Sequence, residues 1–235
     1  MYFYEVALLK IVRQDSSVLT YHSKNELARG TLVTVPVGKK TLPGVVWQRV
    51  KKPTYTTKYI EHIIYSKPLP APLLKTAAWM SDYYGTHLAT VLQTVLPAGV
   101  EKKRRDGADP GHPIITRART SFDLNPGQQA ALEIIGQAGA KTVLLHGVTG
   151  AGKTAVYIEY LKKVIAGGNS AIVLTPEISL TPQLTAELRQ HFHEVVITHS
   201  KLTQAERHRL WQRLLETETP TVVVGPRSAL FMPLK

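Results

Sequence analysis

The sequence contains no cysteine, which removes disulfides and thiolate-ligated zinc from consideration and agrees with a reducing cytosol. Long apolar runs are also missing. Nothing approaches the roughly 18 to 20 residues of a membrane span, and the apolar start from Met1 carries Glu5 and Lys10, so it reads as a first strand and not a secretory leader. A cytoplasmic location with no membrane partner is expected. Acid is scarce relative to base: 17 Asp and Glu stand against 29 Lys and Arg, a formal net charge of +12. Most of the surplus lies early, with 18 basic against 9 acidic residues in 1–123 and 11 against 8 in 124–235. Such a surplus points to a polyanion, nucleic acid first, although a solvated basic face explains it equally well. The remaining composition is ordinary for 235 residues and leaves room for one or two domains with proper cores.

One stretch stands out. Gly147-Val148-Thr149-Gly150-Ala151-Gly152-Lys153-Thr154 fills every fixed position of the G-x-x-x-x-G-K-[ST] phosphate loop. The loop needs a strand to aim it and a helix to receive phosphates at its N-terminus. The run from Thr142 to His146 is rich in strand formers, and Ala155 to Ala166 places Val156, Tyr160, Leu161 and Val164 at helical spacing. Glycines let successive N–H groups converge on the β-phosphate, Lys153 reaches the β- and γ-phosphates, and the Thr154 hydroxyl ligates Mg²⁺. The competing explanation is a glycine-rich strand-to-helix turn that matches by accident.

Around this stretch the chain divides. Short runs rich in Val, Ile, Thr and aromatics (3–12, 31–37, 43–50 and 59–65), separated by turn chemistry such as Val37-Gly38-Lys39-Lys40, predict a small barrel or sandwich. Two helices are expected over 73–84 and 86–96; Trp79, Tyr83 and Tyr84 fit helix packing by their spacing, with base stacking the alternative. Residues 100–123, charged and rich in Gly and Pro, read as a basic flexible linker. From 124 onward, strand-like runs at 143–146, 171–175, 195–198 and 221–224 alternate with helical stretches at 127–137, 155–166, 182–192 and 204–217. That pattern predicts a parallel α/β layer with its ligand at the carboxyl ends of the strands.

Four blocks then become specific: Leu124-Asn125-Pro126-Gly127-Gln128-Gln129-Ala130, the phosphate loop, Leu174-Thr175-Pro176-Glu177-Ile178-Ser179-Leu180-Thr181-Pro182-Gln183, and Val224-Gly225-Pro226-Arg227-Ser228-Ala229-Leu230-Phe231. Together they resemble the first RecA-like lobe of superfamily 2 DNA helicases. Within that superfamily the P-E-I-x-L-T-P-Q and G-x-R-S-A-L-F patterns resemble the PriA family of primosomal replication-restart helicases. His199-Ser200 followed by an Arg-rich helix with Trp211 is similar to that family too. Residues 1–99 resemble its N-terminal domain through Val35-Pro36-Val37-Gly38, Ser81-Asp82-Tyr83-Tyr84 and Val95-Leu96-Pro97.

The resemblance implies a RecA-like P-loop lobe, a parallel sheet with flanking helices, preceded by a small β-rich DNA-binding domain with two helices. It assigns 1–99 to a domain binding a 3′ DNA end and 124–235 to the first ATP-binding lobe. Its function would be that of the N-terminal part of an ATP-dependent 3′-to-5′ helicase, with ATP and Mg²⁺ as cofactors. Its partners would be forked and single-stranded DNA and other primosome proteins. Gln128 would read adenine; the loop residues 147–154 would hold the nucleotide. Thr175, Pro176, Glu177, Thr181, Gln183, Arg227 and Ser228 would hold a single-strand backbone. Gly38 and Lys58 match the 3′-end pocket, while Leu19-Thr20-Tyr21 stands where the family has aromatic-Asp-Tyr. Two departures follow from the same comparison. The span between the two parts is too short for the family's winged-helix domain. No Asp follows Asp123, so neither a Walker B acid nor a D-E-x-H block is present, and a fragment ending before Walker B, inactive in turnover, is expected. A DNA-binding module with a non-hydrolysing scaffold lobe is the alternative; a small-molecule P-loop kinase fits less well.

Overall fold

A computed structural model describes residues 1–102, 122–176 and 181–234, without the side chains of 181–183. Of these, residues 1–102, 202–217 and 231–234 form one compact unit and the rest a second. The expected linker falls mostly on 103–121, outside the described residues.

The first unit begins with β1 (Tyr2–Leu8), whose alternation turns Tyr4, Val6 and Leu8 inward. It pairs antiparallel with β2 (Val18–Ser23) on one side and β4 (Lys40–Val50) on the other. Strand β3 (Leu32–Val37) joins β4 by the two-residue turn Gly38-Lys39. Residues 58–64 then close the sheet. β5 (Lys58–Tyr59) runs parallel to β2, while β6 (His62–Ile63) pairs with β3. Between them Ile60 N–H donates to His22 O at 2.9 Å and Glu61 N–H to Thr34 O at 3.0 Å, so one short segment joins both edges. The sheet thus curls into the small barrel that the strand spacing predicts, its two edge strands β5 and β6 joined by that one segment. Strand β2 is absent from the expected set, because Leu19-Thr20-Tyr21 is flanked by polar residues that weaken its pattern.

Helix α1 (Ala71–Tyr83) starts at a proline-rich entry and buries Leu73, Leu74 and Ala77. Helix α2 (Leu88–Val95) is capped by His87, whose Nδ1 accepts from Ala89 N–H at 3.1 Å. Its Nε2 is thereby left to donate to the Arg13 carbonyl at 3.0 Å. Helix α6 (Gln204–Glu216) also belongs to this unit. It carries a full capping box, Thr203 with Glu206. Trp211, Leu214 and Leu215 are buried, and His208 is fully enclosed. The Tyr65 hydroxyl lies 2.6 Å from His208 Nε2 and donates to Val100 O at 3.3 Å, while Lys67 Nζ donates to the Glu216 carbonyl at the helix C-terminus at 2.7 Å.

The second unit contains α3 (Pro126–Gln137), α4 (Lys153–Ala166), β7 (Ala171–Leu174), α5 (Thr181–Arg189), β8 (Val195–Ile197) and β9 (Val222–Gly225). Its three strands are all parallel in the order β7-β9-β8. Central β9 is buried along its whole length, as a parallel strand flanked on both sides must be. Ile158 of α4 and Leu188 of α5 pack with Val195, Val222 and Val224.

Two expectations are corrected. Residues 142–146 form no strand: no ladder among the described residues pairs with them, and Leu144 is 87% exposed. Strand-forming composition without a hydrogen-bonding neighbour does not make a strand. Trp79, Tyr83 and Tyr84 are not core residues, at 54%, 68% and 63% exposure. They lie away from the Leu73, Leu74 and Ala77 face and pack on one another, Trp79 stacked on Tyr83 with ring centroids 4.9 Å apart.

Candidate nucleotide and nucleic-acid sites

The phosphate loop sits at the N-terminus of α4, which begins at Lys153 with no acidic residue in its first turn. Gly150 and Gly152 have φ of 84° and 74°, in the left-handed region that admits glycine without a Cβ penalty. A Cβ on Gly152 would also lie 2.3 Å from Gln128 Nε2 and displace that side chain. Lys153 folds back over the loop, its ammonium donating to Gly147 O at 2.6 Å and Val148 O at 3.0 Å. Thr154 is exposed in the first turn of α4. A curled backbone, a helix N-terminus that no side chain caps among the described residues and a lysine curled over the loop form an anion cradle. These residues fit a nucleotide phosphate.

Gln128 occupies an unexpected place. Asn125 caps α3 by accepting the Gln128 N–H at 2.9 Å, and Gln128 Oε1 accepts the Asn125 N–H at 3.0 Å, completing a capping box. The other end of the amide, Nε2, donates to Ala151 O at 3.0 Å. Both ends of the side chain that would read adenine are thus engaged between a helix cap and the loop.

At the carboxyl edge of the parallel sheet, Leu174 is in register with Gly225, so Thr175-Pro176 and Pro226-Arg227 lie side by side. Thr175 N–H donates to Gly225 O at 2.9 Å and Thr198 N–H to Val224 O at 2.9 Å. A side chain on Gly225 would strike Thr198 Cγ2 at 2.5 Å and its carbonyl at 2.6 Å, so glycine is required for this close approach. Arg227 and Ser228 open a 3₁₀ turn, Arg227–Phe231, and both are exposed. Thr198, which the sequence does not single out, completes the row; its buried hydroxyl has no partner among the described residues. The preceding Val-Val-Ile run of β8 was the available signal. Glu177 lies outside the described residues, as do the side chains of Thr181 and Gln183, although Thr181 begins α5.

In the barrel, Lys58 is in register with Tyr21, and the Tyr21 hydroxyl donates to Pro36 O at 3.3 Å, two residues before Gly38. Burial pushes the Tyr21 phenol up to about 12. Leu19 is half-buried against the barrel core, and Thr20 on the outer face accepts the Tyr55 hydroxyl at 2.8 Å. Tyr55 thus joins Thr20, a neighbour 35 residues away that spacing does not reveal. Neither partner supplies a carboxylate at that point.

Two family models match the chain: a 3′DNA-binding domain (3′BD) over residues 11–97 and a DEAD/DEAH box helicase over residues 125–234. Three relatives are each described as a replication restart protein PriA. That of Helicobacter pylori (strain ATCC 700392 / 26695) is 34% identical over 242 residues, covering 100% of this chain and 36% of the relative. That of Bacillus subtilis (strain 168) is 35% identical over 183 residues, covering 75% and 22%. That of Rickettsia conorii (strain ATCC VR-613 / Malish 7) is 32% identical over 218 residues, covering 89% and 32%. The chain spans about a third or less of the length of these relatives.

Proposed function

Because this chain belongs to the family of the replication restart protein PriA, we propose that it is the N-terminal part of an ATP-dependent 3′-to-5′ DNA helicase. On this proposal residues 1–99 bind a DNA 3′ end at a fork, 124–235 form the first ATP-binding lobe, and the protein acts in the cytoplasm with other primosome proteins. The observation that supports it best is the phosphate loop: its glycines adopt φ of 84° and 74°, and Lys153 reaches over it from the first residue of α4.

Within that loop, backbone N–H groups bind the β-phosphate, Lys153 exchanges its carbonyl partners for phosphate oxygens, and Thr154 offers its hydroxyl to Mg²⁺. When bound, Mg²⁺ neutralises charge on the phosphate oxygens. Gln128 holds the loop against α3 and turns to adenine when the base arrives. Thr175 and Arg227, side by side at the carboxyl edge, supply donors to a strand backbone. No Asp follows Asp123, so these residues do not include the acid that organises the attacking water, and we propose binding without steady-state turnover by this chain.

Titration with a fluorescent ATP analogue tests this. The 235-residue chain should bind and Lys153→Ala should weaken binding by about tenfold or more, in keeping with the loss of a charge-assisted contact. A second reading, a scaffold lobe around a DNA-binding module, draws on the pairing of Lys153 with its own loop carbonyls. It prevails if Lys153→Ala leaves both ATP and DNA affinity unchanged. DNA-stimulated turnover by the chain would contradict the proposal of an inactive portion.

A further inference from the structure

Residues directly opposite one another on neighbouring strands share a face of the sheet. Phe3 is opposite His22 on β2, and His22 is opposite Tyr59 on β5. The three rings form a row across three strands, with centroids 6.0 Å apart for Phe3 and His22 and 5.5 Å for His22 and Tyr59. Their sequence neighbours Tyr4 and Tyr21 point into the barrel core, so the row lies on the outer face, and none of the three is buried. The His22 ring is held by a 2.7 Å bond between Nδ1 and Thr57 Oγ1.

At one end of the row Phe3 lines a surface cavity of about 730 Å³ together with Arg49, Lys51 and Lys52. Arg49 is fixed, paired with Glu26 at 2.7 Å and lying 4.9 Å over the Tyr2 ring. Among the described residues no carboxylate pairs with Lys51 or Lys52. Beside the row lies Thr20, two residues before His22 on the same face, and at its far end Lys58 precedes Tyr59. Cross-strand aromatic pairs commonly stabilise sheets and lysines commonly protect sheet edges; here an exposed aromatic row and two lysines without a carboxylate partner adjoin one open cavity.

We propose that this row is a track for single-stranded nucleic acid, with bases stacked on Phe3, His22 and Tyr59 and phosphates drawn to Lys51 and Lys52. Successive bases offer π-faces whatever their identity, so the track is sequence-tolerant, whereas bases inside a duplex have their faces covered by stacked neighbours. The inference rests on the DNA-binding reading above and extends it: a strand whose end lies near Thr20 and Lys58 would be held along its length, away from its terminus.

Fluorescence anisotropy with two labelled probes tests it: an oligo-dT and an abasic phosphodiester of equal length. The chain should bind oligo-dT more tightly than the abasic probe. Tyr59→Ala should weaken oligo-dT binding by about tenfold and leave the abasic probe unaffected, while Tyr59→Trp restores affinity. Tyr59 lies on a two-residue edge strand, so its removal leaves the core intact; a thermal melt of each variant checks this. Lys51→Ala with Lys52→Ala should weaken both probes and lower the salt slope by about 1.4. Equal affinity of the wild-type chain for the two probes overturns the track, as does a folded Tyr59→Ala variant that binds oligo-dT normally. A wild-type chain that binds neither probe overturns the DNA-binding reading itself, an outcome distinct from either.

Discussion

Gly152 and Tyr21 carry the clearest consequences of single side chains. Gly152→Ala puts a Cβ into the left-handed region and 2.3 Å from the Gln128 amide, so the backbone is strained and the flexible Gln128 side chain must swing aside. Strained φ alone costs about 1 to 3 kcal/mol. The variant should melt at lower temperature and lose nucleotide affinity as the bond from Gln128 to Ala151 breaks, which calorimetry and ligand titration would read. Tyr21 has a folded pKa raised by burial, from an ordinary 10.0 to about 12. Its contribution to stability is complete below about pH 10 and is lost as pH rises toward 12, because only the unfolded chain ionises in that window. Alkaline denaturation of Tyr21→Phe should therefore lack part of the wild-type decline between those values. The glycine turn and the helix that starts at Lys153 were legible because both signals are local. The second partner of Gln128 was not, since a capping box is local but Ala151 lies 23 residues away.

Elements were legible where their pattern was local. α4, α6 and the three parallel strands match the expected positions within a few residues, each marked by helical spacing or a valine-rich run. The run at 142–146 failed because strand formation depends on a partner, and the aromatic trio at the end of α1 failed because helical spacing does not say which face meets the core. The α6 N-terminus offers a quantitative test. Thr203 Oγ1 accepts the Glu206 N–H at 3.2 Å and Glu206 Oε2 accepts the Thr203 N–H at 2.8 Å. Thr203→Ala should cost about 1 kcal/mol in denaturant unfolding, and Thr203→Ser should retain most of the stability.

At the scale of the whole molecule, the positive surplus is concentrated in 1–123, and within that region Lys51, Lys52 and Lys58 are exposed. Charge alone left nucleic acid and a solvated surface equally open. The match of residues 11–97 to a 3′DNA-binding domain favours the first. That α6 belongs to the barrel unit could not be seen in the sequence, where it follows β8 in an unbroken β/α alternation; Tyr65 and Lys67 meeting its residues reveal it. The central claim, that this chain grips DNA through its phosphates, is tested most directly by measuring its affinity for a labelled 3′-tailed DNA between about 50 and about 200 mM salt. Four phosphate contacts would weaken binding by about a hundredfold over that range, with log affinity falling linearly in log salt. An affinity that does not change with salt, or no binding at the lower concentration, would contradict it.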